Sequence, residues 1–226
     1  MKNVFSVITT LLDTISIYAH TDVTKFLGIP VDGSKAEMIE KIKSKGFIPN
    51  PYGKDILTGI FNGTEVNIHI GTNGDKVCRI MVCDANNVDG RSIRIRFNNL
   101  CRQFENSPNY VSFEDYSIPD DEDISYCMSV ENKQYQAIFY QQSEESTDTA
   151  VMRDKLLHFI TTKFTPEQLE KPTDDMRKSI VNLSLDYIVD IYLKKPVWFI
   201  ISEMNDKYYI AMFYDNEYNK ANGEDL

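Results

Sequence analysis

The sequence predicts an α+β protein in which helices pack on an antiparallel β-meander and on β-hairpins. Segments with apolar residues at every second position alternate with segments whose apolar residues recur every three to four positions. Asn-Gly and similar turn-forming pairs separate segments of the first kind. Helix-capping residues and prolines bound segments of the second kind. This order of elements favours helices layered on antiparallel strands.

The composition is that of an ordinary globular protein. Hydrophobic residues make up 42% of the 226 residues and charged residues 26%. The 34 acidic and 24 basic residues give a net charge of -10. Because this charge repels polyanions, we expect no nucleic acid partner. The length suits one large domain or two small ones.

Residues 1–20 have two interpretations. The apolar stretch from Val4 to Tyr18, followed by the small residue Ala19, has the layout of a signal peptide. Asp13 interrupts this stretch, whose apolar side chains also fall on one helical face, so a retained amphipathic helix is the alternative. The first interpretation predicts a periplasmic or secreted protein and the second a cytoplasmic one. Since the stretch is too short to span a bilayer comfortably, we predict no transmembrane segment.

The first helix beyond this segment is predicted to begin after Ser34. Ser34 and Glu37 have the spacing of a capping box. Met38 and Ile42 give the helix an apolar stripe, and Gly46 supplies a left-handed stop. The helix is therefore short and amphipathic.

A three-stranded antiparallel meander is predicted next. Its strands are Ile56 to Phe61, Val66 to Ile70 and Val77 to Cys83. Asn62-Gly63 separates the first two, and Asn-Gly tolerates the positive φ angles of a tight hairpin turn.

A second amphipathic helix is predicted with Ser92 as its cap. It leads through an acidic loop to a predicted hairpin formed by Ile124 to Val130 and Tyr135 to Tyr140. Apolar residues recur along the helix at core-facing spacing; they are Ile93, Phe97, Leu100, Cys101 and Phe104.

The polar stretch from Gln141 to Asp148 is the predicted domain boundary. It separates a helix, meander, helix and hairpin domain at residues 21–142 from residues 149–226. The second region is predicted to form either a helix-helix-hairpin domain or a continuation of the same sheet. Its two helices carry apolar stripes, the first through Leu156, Phe159 and Ile160 and the second from Met176 to Tyr192.

The last predicted hairpin, Val197 to Ser202 and Tyr208 to Tyr214, repeats an earlier pattern. The segment YQAIFY at Tyr135 to Tyr140 parallels YIAMFY at Tyr209 to Tyr214. A helix precedes each hairpin and the meander. The pattern therefore suggests helix-plus-hairpin units used three times.

No motif in the chain predicts a reaction, a metal or a cofactor. A nucleophile elbow, a metalloprotease helix, a P-loop and a dinucleotide-binding fingerprint are all missing from the sequence. His69 is predicted to lie on a strand surface, on the same side as Asn67. The four cysteines lack C-x-x-C spacing, so free thiols are favoured over a disulfide or a metal site; they are Cys78, Cys83, Cys101 and Cys127.

Four residues are the candidates for binding. Arg91, Arg94 and Arg102 lie in the one basic segment of an acidic chain, and guanidinium groups bind carboxylates and phosphates bidentately. Pairing with the acidic loop Asp120 to Asp123 is the alternative role. Tyr209 is expected in an outward-facing row of tyrosines, a residue type enriched at protein interfaces.

The chain resembles a family of proteins from gut anaerobic bacteria that are often exported and have no assigned activity. The resemblance covers nearly the whole chain and is carried by DVTKFLGIPVDGSK from Asp22, KGF from Lys45, RFNNLCRQF from Arg96 and YDNEYNKANGEDL from Tyr214. It implies export. The order of helices and strands is also similar, in topology alone, to the beta-lactamase-inhibitor-like fold.

Three functional hypotheses follow. The leading one is a noncatalytic, exported module that binds a protein or an envelope component. The second is a hydrolase of unfamiliar type that uses His69 with carboxylates such as Asp84 and Asp89. The third is an intracellular stress or mobile-element protein that keeps its N-terminal helix.

Overall fold

Antiparallel pairing organises the ten strands in the described part of the chain. A computed structural model describes residues 22–142 and 149–221. Residues 1–20, for which a signal peptide and an amphipathic helix were the two predictions, lie outside the described residues. Most of the predicted boundary from Gln141 to Asp148 lies outside them as well. The strands are β1 (Lys25–Phe26), β2 (Ile29–Pro30), β3 (Ile48–Pro49), β4 (Leu57–Phe61), β5 (Thr64–Asn73), β6 (Lys76–Asp84), β7 (Tyr110–Val111), β8 (Gln136–Gln141), β9 (Pro196–Met204) and β10 (Lys207–Asp215).

Six α-helices lie within the described residues. A short 3-10 helix, Glu217–Asn219, follows the last strand. The α-helices are α1 (Lys35–Lys43), α2 (Gly90–Glu105), α3 (Ile124–Ser129), α4 (Thr149–Lys163), α5 (Pro166–Glu170) and α6 (Asp174–Leu193).

Eight of the strands form one antiparallel sheet in the order β3-β4-β5-β6-β10-β9-β8-β7, and β1 pairs separately with β2. Strands from residues 21–142 and from residues 149–226 share this sheet. The junction is the pairing of β6 with β10, where Val82 lies opposite Met212. The predicted α+β class with antiparallel hairpins is confirmed.

The predicted meander is present as β4, β5 and β6. Asn62 and Gly63 connect β4 to β5 with φ angles of 52° and 76°. These positive angles produce the tight turn whose twist matches antiparallel strands, and asparagine and glycine adopt them at low steric cost.

One face of the sheet, the inner face, packs against α1 and α2. Met38 and Ile42 of α1 are buried there. The capping box of Ser34 with Glu37 is present at the start of that helix. All five apolar residues of the predicted α2 stripe are buried. Aromatic rings fill much of the contact between α2 and the strands, with Phe97 5.0 Å from Phe199, measured between ring centroids.

The cap predicted for α2 is wrong by three residues. Asp89, and not Ser92, is the N-cap, and its carboxylate accepts a hydrogen bond from the Ser92 backbone N–H at 2.9 Å. The hydrogen bonds from Ser92 lower the pKa of Asp89. Ser92 adds its hydroxyl to the same carboxylate at 2.8 Å.

The strand predicted at Ile124 to Val130 is wrong, because this segment forms α3. Asp123 caps the helix by accepting a hydrogen bond from the Tyr126 N–H at 3.1 Å. The other predicted strand of that hairpin is β8, which pairs with β9 on one side and with the short strand β7 on the other. The middle helix-plus-hairpin unit therefore has a single strand where a hairpin was expected.

The helices α4, α5 and α6 form a helical arm at residues 149–193. Phe159 of α4 stacks on Tyr187 of α6 with ring centroids 4.6 Å apart. Among the described side chains of the arm, Ile160 alone is buried, and it does not belong to the main core. Of the described helices, none is both long and apolar enough to cross a bilayer.

Candidate functional site

The side of the sheet opposite α1 and α2, the outer face, carries a row of neighbouring side chains. The strand register places Ile138 beside Trp198, Trp198 beside Phe213, Phe213 beside Met81 and Met81 beside His69. This outer row crosses five strands. Phe213 is buried, and the other four side chains are half-buried. The row lies outside the main core.

Trp198 and Phe213 form the centre of the outer row. Their rings are stacked with centroids 4.0 Å apart. The Arg79 guanidinium lies 5.4 Å from the centroid of Trp198 and 5.0 Å from that of Phe213, within cation–π range. The two rings are therefore held in fixed positions.

Asp215 fixes the edge of this cluster. Its carboxylate accepts hydrogen bonds from Arg79 Nε at 2.5 Å, Arg79 Nη2 at 2.8 Å and Trp198 Nε1 at 2.9 Å. Burial alone raises a carboxyl pKa, but the hydrogen bonds from Arg79 and Trp198 outweigh it, and the pKa of Asp215 is lowered.

The four residues predicted for binding do not form one site. Tyr209 lies on the outer face, since its neighbours Tyr208 and Ile210 are buried in the core and side chains alternate along a strand. Arg91, Arg94 and Arg102 lie on α2, which covers the inner face.

Part of the arginine segment is engaged within the chain. Arg94 donates to the Glu122 carbonyl at 3.2 Å and lies 3.8 Å from the Asp120 carboxylate. Arg102 donates to the Asn99 side chain at 2.5 Å. Arg91 is exposed. Arg96, a neighbour outside the predicted set, is paired through both Nε and Nη2 with buried Asp84.

The residues considered for hydrolysis are also separated. His69 lies on the outer face, as predicted, and its pKa is lowered by burial and by the charge of Lys35. Asp84 is buried on the inner face, where it also accepts the Ile210 N–H at 3.1 Å. Asp89 caps α2. The three side chains therefore lie at different places in the fold.

All four cysteines have free thiols. Burial raises the pKa of Cys83 to about 11 and that of Cys101 to about 12. Both thiols are therefore protonated at neutral pH and weakly nucleophilic. Within residues 22–142 and 149–221, no three His, Cys, Asp or Glu side chains are grouped closely enough to hold a metal ion.

A second concave surface, the groove, lies between the β1-β2 hairpin and the C-terminal end of α2. Two adjoining cavities of about 400 and 530 Å³ form it, and both are lined by Leu27, Phe61, Tyr110 and Tyr214. Phe104, Met212 and Ile60 are among the residues that line the larger cavity. Both volumes fall in the range of about 300–1,000 Å³ found for small-molecule pockets.

The smaller cavity is more polar. Gln141 accepts the Lys25 backbone N–H at 2.7 Å and donates to the Tyr110 hydroxyl at 3.2 Å. Tyr110 is in turn hydrogen-bonded to Tyr214, and burial raises the pKa of both phenols. Lys195 also lines this cavity and pairs with Asp22.

Comparison with family models, with curated proteins and with solved structures finds no match for this chain. The surfaces of the chain itself are therefore the basis for inferring its function.

The sequence-based predictions missed both the outer row and the groove as sites. The row brings together residues from five strands, and their neighbours in space depend on the pairing of β6 with β10. The groove had one local signal, the pair Leu27-Gly28 between two short apolar segments. A leucine there is unusual, because asparagine, aspartate or glycine is preferred at the first position of such a turn.

Proposed function

We propose that this protein is a noncatalytic module that binds another protein, or a component of the cell envelope, through the outer face of its sheet. The outer row is the observation that supports this proposal. It presents the half-buried side chains of Trp198, Met81 and Ile138 around the buried ring of Phe213. Interface centres are enriched in Trp, Tyr, Phe, Met and Arg.

The centre of the row is organised before any partner arrives. Trp198 is fixed by its stack on Phe213 and by its hydrogen bond to Asp215. Holding a large aromatic anchor in place reduces the side-chain entropy lost on association. Tyr209 lies on the same face, so it belongs with this surface and not with the arginines of α2.

Site-specific photocrosslinking tests the binding face. A benzophenone amino acid at Tyr209 should crosslink a discrete partner in cells that make the protein. The same group at Tyr52, which is 98% exposed but in a loop before β4, serves as the control. Met81→Glu should abolish the Tyr209 crosslink by placing a charge in the outer row, with the circular dichroism spectrum unchanged. Equal crosslinking from Tyr52 and Tyr209 would count against this face.

Export is a further part of the proposal. The signal-peptide layout of residues 1–20 and the resemblance to often exported proteins support it. Mass spectrometry of the protein isolated from its source cells should find a chain that begins near residue 20. A mature chain that begins at Met1 or Lys2 would refute export and leave the binding proposal to the crosslinking experiment.

A further inference from the structure

A line of exposed apolar side chains, the arm row, runs along α6. Its members recur at every fourth residue, so they lie one above another on the helix and cover about 18 Å of its length. Val181 and Leu185 are each 56% exposed, Leu193 is 44% exposed and Val189 is 40% exposed. No other helix or strand within the described residues has more than one exposed large apolar side chain. Single exposed apolar residues are ordinary, whereas a contiguous group marks an interaction surface.

The arm row is not the surface through which α6 packs on α4. Tyr187 stacks on Phe159 of α4, and Ile180 and Leu183 are half-buried on the same side of α6 as Tyr187. At 3.6 residues per turn, the arm row lies on the opposite side of the helix. A helix that packs on one neighbour needs one apolar stripe. The second stripe of α6 therefore indicates a second contact.

The charge of the arm differs from that of the chain as a whole. Residues 149–193 contain six basic and seven acidic residues, so nearly all of the net charge of -10 lies outside the arm. Two copies of this chain repel each other at long range, and this repulsion is smallest where their nearly neutral arms meet. An arm with so little net charge does not select a partner of opposite charge. These properties favour a second copy as the occupant of the arm row.

We propose that the arm row is a self-association surface, on which the arm row of a second copy packs. Rows of side chains spaced four residues apart interdigitate in the commonest class of helix packing, and two identical helices supply matching rows. A two-fold contact centred on the row brings Leu185 of one copy close to Leu185 and Val189 of the other. The arm row shares no residue with the outer row, so this contact is separate from the one proposed for a partner.

Sedimentation equilibrium of the full chain tests the proposal. At about 100 μM the mass should approach twice the monomer mass of 26.1 kDa. Leu185→Glu should raise the dissociation constant about tenfold or more, because each copy loses a buried leucine and two like charges meet. The circular dichroism spectrum should not change, since the side chain is exposed in the single chain. A full chain that remains at the monomer mass would overturn the proposal.

A charge exchange at the same position tests whether the row meets its own copy. Leu185→Lys alone should weaken association as Leu185→Glu does. An equimolar mixture of the two variants should associate more tightly than either variant alone, because opposite charges then meet across the contact. A mixture that associates no more tightly than its components would show that the two rows do not face each other.

Ile95→Glu is the matched control for the apolar substitution. Ile95 is also an aliphatic residue on a helix, 48% exposed on α2 and outside the arm, so the dissociation constant should not change. Raising the salt concentration should leave association unchanged or strengthen it, because salt screens the repulsion between the acidic copies. An equal loss of association in Ile95→Glu and Leu185→Glu, or dissociation by salt, would overturn the apolar contact through the arm row.

Discussion

The helix α2 belongs to the body, the described residues outside the helical arm, and α6 belongs to the arm. Both helices carry apolar stripes, but they bury them to different degrees. Five apolar side chains of α2 are buried. In the 20 residues of α6, none of the described side chains is buried. An apolar stripe thus predicts that a helix forms. The size of the surface that packs against the helix decides how much of the stripe is buried.

The opposing surfaces explain the contrast. The α2 stripe packs on strands of the sheet, where Phe104 stacks on Phe139 at 4.7 Å between ring centroids. Within the arm, α6 packs on α4, and part of its apolar surface remains exposed. Val181 and Leu185 are each 56% exposed. The arm therefore gains less from apolar burial than the body does.

The same substitution in the two regions should have very different effects. Phe199→Ala should lower the free energy of unfolding by about 3–5 kcal/mol, because a fully buried ring is removed from a packed cluster. Phe159→Ala in the arm should lower it by roughly 1–2 kcal/mol, because that ring is half-buried and loses one stacking partner. Urea denaturation followed by circular dichroism measures both changes.

Phe113→Ala is the matched control for ring removal. Phe113 is 60% exposed in the body, and its ring is tilted against that of Tyr140, so the change should stay below about 1 kcal/mol. If Phe159→Ala is as damaging as Phe199→Ala, the arm contributes to the same cooperative core and the contrast between the regions fails.

Much of the body could be predicted from local sequence. The meander follows from alternating residues and from Asn62-Gly63, and the first helix follows from the Ser34 capping box. The segment Ile124 to Val130 was predicted as a strand because its apolar residues suit either structure over so short a length. The carboxylate of Asp123, which caps the helix, was the local signal for the observed structure.

The candidate sites depended on information that the sequence does not carry locally. The outer row requires β10 to pair with β6, which lies more than a hundred residues earlier in the chain. The predicted site residues were chosen by charge and type, and the fold separates Tyr209 from the arginines of α2. Leu27 was part of a turn-rich segment, but the other residues that line the groove with it come from distant parts of the chain.

Lowering the pH should destabilise the body by protonating Asp215. This loss of stability is a further way to distinguish the body from the arm. Hydrogen bonds from Arg79 and Trp198 lower the pKa of Asp215 in the folded protein below its unfolded value of about 3.9. The stabilisation that the Asp215 carboxylate provides is therefore complete above about pH 4. It is lost as the pH falls through the pKa of Asp215 in the folded protein. Asp215→Asn should lose roughly 1.5–3 kcal/mol at neutral pH, the range for hydrogen bonds to charged groups.

Fluorescence of Trp198 reports on this change specifically, since it is the only tryptophan in the chain and donates to Asp215. Urea midpoints followed at Trp198 from pH 7 to pH 3 should converge for the wild type and Asp215→Asn as the wild type loses its ion pair. Asp186→Asn on α6 is the control in the arm, and its difference from the wild type should not depend on pH in this way. A constant gap between wild type and Asp215→Asn would mean that the carboxylate does not stabilise the outer face by its charge, and that Trp198 is held by stacking on Phe213.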